Sequence, residues 1–243
     1  MAPWVVVGIC GLATALATGL GAIPFVFLRK LSPRAAAVST ALAAGLMLGA
    51  SFGLVAEGTA HGGWQTLAGA VAGVVFILVA QRMLEGHKLD IGSVRDADSR
   101  RVALMVVVMT VHSFSEGVAV GVSFGGSVTL ATVITLAIAV HNIPEGLAIS
   151  AVLRSRGVPV WKCAGWSVFS SLPQPLMAVP AFLFVDSFRP TLPYGIGFAA
   201  GAMVFMVLAE LLPETYETER KATVALLVSL ALVGMVLFQR AIG

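Results

Sequence analysis

Apolar residues run along this chain in long unbroken stretches, and short polar clusters punctuate them. Strict alternation of apolar and polar positions would mark the strands of a membrane barrel. Continuous runs of about 20 residues mark helices that cross a bilayer. Eight such spans are predicted, at about 4–28, 36–57, 64–84, 102–124, 128–152, 161–185, 192–213 and 222–240. The expected fold is an all-α membrane protein, a single polytopic domain over residues 1–243. Its one long connection, about 85–101, is polar and of mixed charge, and is expected to be disordered. Glycines recur at four-residue spacing within three spans: Gly45, Gly49 and Gly53; Gly69 and Gly73; Gly117, Gly121 and Gly125. That pattern lets helix backbones approach closely. Pro173, Pro175 and Pro180 predict a broken helix in the sixth span.

Composition narrows the class further. The chain is 58% hydrophobic and 11% charged, with a mean hydropathy of +0.96, against roughly 25% charged residues in a soluble domain. No soluble domain fits, so an ATP-hydrolysing module is excluded, and no phosphate-binding glycine-rich loop is present. The net charge of +3 gives no indication of nucleic acid, because the charges sit in short loops. Of the 15 Lys and Arg residues, all but Arg189 and Arg240 fall in the connections after spans 1, 3, 5 and 7 or, as Arg82 and Lys162 do, at the span ends that border them. The positive-inside rule then puts those loops in the cytoplasm and both termini outside. The start, M-A-P-W-V-V-V-G, lacks a basic n-region and is expected to be a retained first span. Cys10 and Cys163 form no C-x-x-C pair and are expected to be inert buried thiols.

Internal symmetry emerges once that topology is drawn. Span 2 contains A-A-G-L-M (Ala43 to Met47) and span 7 contains A-A-G-A-M (Ala199 to Met203), running in opposite directions. Spans 4 and 5 share H-x-x-x-E-G, also in opposite directions. Both pairs fit an inverted repeat of 3+2+3 spans, an arrangement used by transporters with a midplane site.

That shared motif is where chemistry concentrates. Span 4 carries V-H-S-F-S-E-G, with His112 and Glu116, and span 5 carries V-H-N-I-P-E-G, with His141, Asn142 and Glu145. An imidazole and a carboxylate four residues apart share one helix face. Counted from a turn at Gly126, His112 is 14 residues back and His141 is 15 residues on. Both therefore lie about 21–22 Å from the turn, at matching depth. Ionisable groups inside a membrane demand compensation. A divalent ion supplies it, and imidazole with carboxylate suits Zn²⁺ or Fe²⁺ better than Mg²⁺ or Ca²⁺. The Asn142 amide can add an oxygen, and Pro144 frees the Val140 carbonyl.

At these residues the sequence resembles the ZIP family of divalent-metal transporters, over roughly residues 40 to 215. V-H-N-I-P-E-G matches that family's motif in full and V-H-S-F-S-E-G in part. The resemblance implies a midplane metal centre on spans 4 and 5, and movement of metal into the cytoplasm. It implies that His112, Glu116, His141 and Glu145 are ligands, that Met47 caps the site from span 2, and that Asn142 serves a neighbouring site. Ser113 and Ser115 depart from the family pattern, as does Gln174, which stands where many members have Glu. One tight ion with an auxiliary site is therefore expected. The family also places an acidic exit site near Glu210, with Ala209 where a His often stands. Glu210 and Glu214 either line that exit path or are solvated at the interface. His61 and His87 are expected in loops.

The expected function is transport of divalent cations, zinc foremost and also iron, manganese or cadmium, across the cell membrane. The partners are then the cation substrate and the bilayer, without nucleic acid or a catalytic cofactor, and with room for a homodimer. Two alternatives compete. An intramembrane metallohydrolase would need a closed ligand set and a general base, and H-E-x-x-H is absent. A proton-coupled carrier of small solutes would not require two matching His–Glu pairs.

Overall fold

The computed structural model describes residues 1–28, 30–86 and 97–242, and its regular elements are all helical. Helix α1 (Pro3–Leu20) opens on a proline in its first turn, where a missing N–H leaves no helical bond unmade. A 3₁₀ turn, Ile23–Val26, continues it. Helix α2 (Pro33–Gly86) counts 54 residues, which if straight would span about 80 Å, far more than the roughly 30 Å hydrocarbon core. It is not straight. The backbone leaves the helical conformation at Gly62, and a Cβ on Gly58 would stand 2.8 Å from Thr66 Oγ1. Residues eight apart on a straight helix are separated by about 12 Å. The chain therefore folds back at Gly62 into two arms, residues 33–61 and 63–86, which are the second and third predicted spans. His61, expected in a loop, is helical, with Nε2 3.3 Å from Glu57 Oε1.

Helices α3 (Ala97–Gly126) and α4 (Val128–Ser155) form the hairpin that bears the repeated motif. Ser127 makes the turn, its Oγ accepting the Leu130 N–H at 3.0 Å. Because α2 runs to Gly86 and α3 starts at Ala97, the connection is shorter than the expected 85–101. Residues 87–96, including His87, lie outside the described residues, and so does the expectation of disorder there. The sixth span is broken as its prolines predict. Helices α5 (Val160–Ser170) and α6 (Pro173–Ser187) meet at Ser171 and Leu172, directly before Pro173. The seventh runs longer than 192–213: α7 (Leu192–Met206), a π-helical stretch Val207–Leu211, then α8 (Leu212–Thr218). Hydropathy marks where a helix leaves the apolar layer, not where it ends. Helix α9 (Lys221–Ile242) closes the chain.

Six segments among the described residues are long and apolar enough to cross a membrane, the reversed α2 counting as one of them. The glycine stripes lie at helix contacts. Gly45 on the first arm of α2 faces α9, where an added Cβ would stand 2.4 Å from the Val228 carbonyl oxygen. Gly69 on the second arm faces α7 (2.1 Å from the Tyr194 oxygen), and Gly121 faces α6 (2.2 Å from the Ala178 oxygen). The tightest approach is Gly146 on α4, where a Cβ would overlap the Thr18 carbonyl of α1 at 1.6 Å. Two polar contacts tie the ends of the bundle. Arg34 pairs with Glu219 at 2.7 Å at one end, and Arg189 donates to the Gly125 carbonyl at 2.7 Å at the other.

Candidate metal-binding centre

Every polar side chain of the repeated motif is buried, and their partners cross between helices. Glu116 and His141 are both fully buried, with Glu116 Oε1 2.8 Å from His141 Nε2. The second oxygen of Glu116 accepts from Gln174 Nε2 at 2.6 Å. Gln174 stands on the first turn of α6, immediately after the break, so the interrupted helix delivers its amide into the bundle. Its Oε1 accepts from Asn142 Nδ2 at 3.1 Å, and the same Nδ2 donates to the Thr14 carbonyl at 2.9 Å. A continuous polar network thus runs His141–Glu116–Gln174–Asn142–Thr14 across α4, α3, α6 and α1.

His112 belongs to a second network. Its Nε2 lies 3.2 Å from Glu210 Oε2, and the other Glu210 oxygen accepts from Gln81 Nε2 on the second arm of α2. Glu210 sits within the π-helical stretch. Such a bulge inserts a residue into the helical repeat and re-aims the side chains near it, which is why it marks functional positions. Ser115, replacing the expected proline on α3, donates to the His112 carbonyl at 2.8 Å.

Glu145 stands apart from both networks. It is 4% exposed, and its Oε1 has no hydrogen-bond partner among the described residues. The same holds for His141 Nδ1 and Asn142 Oδ1. Buried polar atoms are rarely left unmatched without a ligand, water or strain to account for them. These three orphans lie on α4 within two turns, around Pro144. Met47 is fully buried in the apolar core around the cluster.

The expected ligand set is therefore brought into one region, but paired differently from its spacing. Glu116 reaches His141 rather than the His112 on its own helix, and Glu210 comes to His112. Gln174 faces the site, while Glu214 lies one turn beyond Glu210, on α8. Among the described residues no three His, Cys, Asp or Glu side chains stand grouped as a formed metal shell. Two participants carried no motif in the sequence. Gln81 ends the run G-V-V-F-I-L-V-A-Q (Gly73 to Gln81), where one amide after eight apolar residues was the signal. The Thr14 carbonyl is a backbone atom and gave none.

Together these features define a multi-pass helical membrane protein with imidazoles, carboxylates and amides buried where its helices meet. The family model "ZIP Zinc transporter" matches residues 85–238. Zinc transporter GufA of Myxococcus xanthus is 32% identical over 90% of this chain and 92% of its own length. Zinc transporter ZIPB of Bordetella bronchiseptica is 35% identical over 96% of this chain and 80% of its own. An Arabidopsis thaliana protein, whose name provisionally assigns it zinc transport, is 48% identical over 92% of this chain. This chain spans 37% of that longer relative. The chain belongs to the ZIP zinc transporter family.

Proposed function

We propose that the protein carries divalent cations, zinc foremost, across the cell membrane into the cytoplasm by alternating access. The observation that carries this reading is the fully buried Glu116–His141 pair at 2.8 Å, contributed by two helices that repeat one motif. A carboxylate and an imidazole are costly in hydrocarbon, and a dication that both can ligate repays the cost. On this reading Glu116, His141, His112 and Glu145 hold the ion. Met47 and Asn142 border it, and the Gln174 amide takes the place of an anionic ligand for a second ion. Iron, manganese and cadmium are further candidate substrates. No catalytic role is assigned.

We also read the fold as eight spans in a 3+2+3 inverted repeat with both termini outside. The packing supports it. Exchanging spans 1, 2, 3 and 4 with 6, 7, 8 and 5 converts the contact of the first α2 arm with α9 into that of α7 with the second arm. It likewise converts α1 on α4 into α6 on α3, and leaves α1 on α6 and α3 on α4 unchanged. Uptake of radiolabelled Zn²⁺, Fe²⁺, Mn²⁺ and Cd²⁺ into proteoliposomes tests the function. The expected result is Zn²⁺ uptake that His141→Ala abolishes; liposomes that take up none of the four, with folded protein inserted, overturn it.

A further inference from the structure

A cavity of about 550 Å³ opens where the first arm of α2, the start of α4 and the end of α9 meet, and none of its lining residues belongs to either polar network. It stands at the end of the bundle where Arg189 meets Gly125. Ser127, the cap of α4, lines it, and a Cβ on the neighbouring Gly126 would stand 3.6 Å from Glu57 Oε1. One gradient runs along all three helices of the lining. On α2 the apolar Phe52 lies deeper and Glu57 nearer the bundle end. On α4 Ile134 lies deeper and Ser127 nearer that end, about 10 Å apart along the helix. On α9 Val236 lies deeper and Arg240 nearer that end. The volume suits an organic ligand and is many times what a bare ion fills. Glu57 and Arg240 both line the cavity, yet among the described residues they make no ion pair with each other; Glu57 lies 3.3 Å from His61 instead.

We propose that this cavity binds one membrane lipid, phosphatidylethanolamine, with its phosphate at Arg240, its ammonium at Glu57 and the first carbons of its chains against Phe52, Ile134 and Val236. The polarity gradient of the lining selects a lipid. Charged groups toward the bundle end and apolar ones toward its middle repeat the order of head group and chain in the surrounding bilayer. Phe52, 58% exposed, leaves the apolar depth of the cavity open to a chain entering from the membrane. Charge complementarity selects the head group. A cation and an anion that line one cavity without pairing fit a zwitterion, whose phosphate serves the guanidinium and whose ammonium serves the carboxylate. A primary ammonium keeps N–H donors for Glu57, which the methylated ammonium of phosphatidylcholine lacks. Phosphatidylglycerol brings a phosphate for Arg240 but no cation for Glu57. Bound there, the lipid joins α4, which bears His141, to α2 and α9.

The test is native mass spectrometry of the full-length protein in detergent, with dioleoyl phosphatidylethanolamine, phosphatidylcholine or phosphatidylglycerol added singly. Wild type is expected to hold one phosphatidylethanolamine, about fivefold more tightly than either other lipid, the factor of one charge contact at a membrane surface. Glu57→Gln should erase that preference, weakening phosphatidylethanolamine and strengthening phosphatidylglycerol. Arg240→Gln should weaken all three by about fivefold. Ala56→Phe places a ring in the cavity from an exposed position, and should lose the lipid while the protein melts as wild type does. The proposal falls if wild type holds the three lipids equally, or if Glu57→Gln and Arg240→Gln leave the preference as it was. It falls also if wild type is a lipid-free dimer that Ala56→Phe separates, since a second copy of the chain then covers this face.

Discussion

Glu116 and Glu145 are both buried carboxylates four residues beyond a histidine, in the same bundle, yet their surroundings predict opposite effects on stability. Glu116 accepts from His141 and Gln174, so removing it strands two buried donors. Glu145 has an unmatched oxygen, so replacing it removes a buried polar group that the fold leaves unsatisfied. In metal-free protein Glu116→Ala should lower the melting temperature, by the equivalent of about 1–3 kcal/mol, whereas Glu145→Gln should raise it. Thermal melts of both variants with and without Zn²⁺ check this, and the Glu145→Gln gain should vanish when Zn²⁺ is present. Gln174 gives a second prediction. Gln174→Glu would set a carboxylate where an amide now donates to Glu116 at 2.6 Å, so metal-free protein should be less stable. Bound metal should rise toward two ions per chain, read by elemental analysis; an unchanged ratio in folded protein would mean that residue 174 does not serve a second ion.

At the level of helices, the site depends on backbone contacts that leave no room for side chains. The Thr14 carbonyl reaches Asn142 because α1 lies directly on α4 at Gly146. Gly146→Ala should force those helices apart, costing several-fold or more in Zn²⁺ affinity as well as stability. Gly165→Ala on α5 meets nothing within 4 Å and should be neutral or stabilising by about 0.5–1 kcal/mol; Zn²⁺ titration of the two variants separates the cases. Much of this scale could be read from the chain. The glycine spacing located the contacts, the prolines located the break, and the repeated motif located the hairpin. Which histidine meets which carboxylate could not be read, because that depends on how far each helix is rotated toward its neighbours. Periodicity along one helix carries no information on that rotation. The π-helical stretch is the sharpest instance: one extra residue per turn turns Glu210 toward His112, and no residue type signals it. The reversal at Gly62 was expected as a short loop, but the helical arms continue almost to the turn, so His61 lies on a helix.

Over the whole molecule, the two ends of the bundle differ in charge, and the orientation prediction follows from that difference. Gly157 sits in an open turn with φ 81° and nothing within 4 Å of its Cβ position, so an insertion there should leave the fold intact. Reporters at Gly157 and after Gly243 should read opposite sides of the membrane, with Gly157 cytoplasmic; agreement between them would overturn the topology. A consequence of another kind follows from the His112–Glu210 and His141–Glu116 contacts. A carrier completes its cycle only by reorienting without cargo, and bare carboxylates in an apolar bundle would make that return the slow step. Here His112 and His141 lie beside Glu210 and Glu116 and can satisfy those two carboxylates whenever no ion bridges them, although Glu145 keeps an unmatched oxygen. The empty protein should therefore turn over nearly as fast as the loaded one. Zinc preloaded inside proteoliposomes should accelerate uptake of labelled zinc little, and a large acceleration would show that the vacant return remains the slow step.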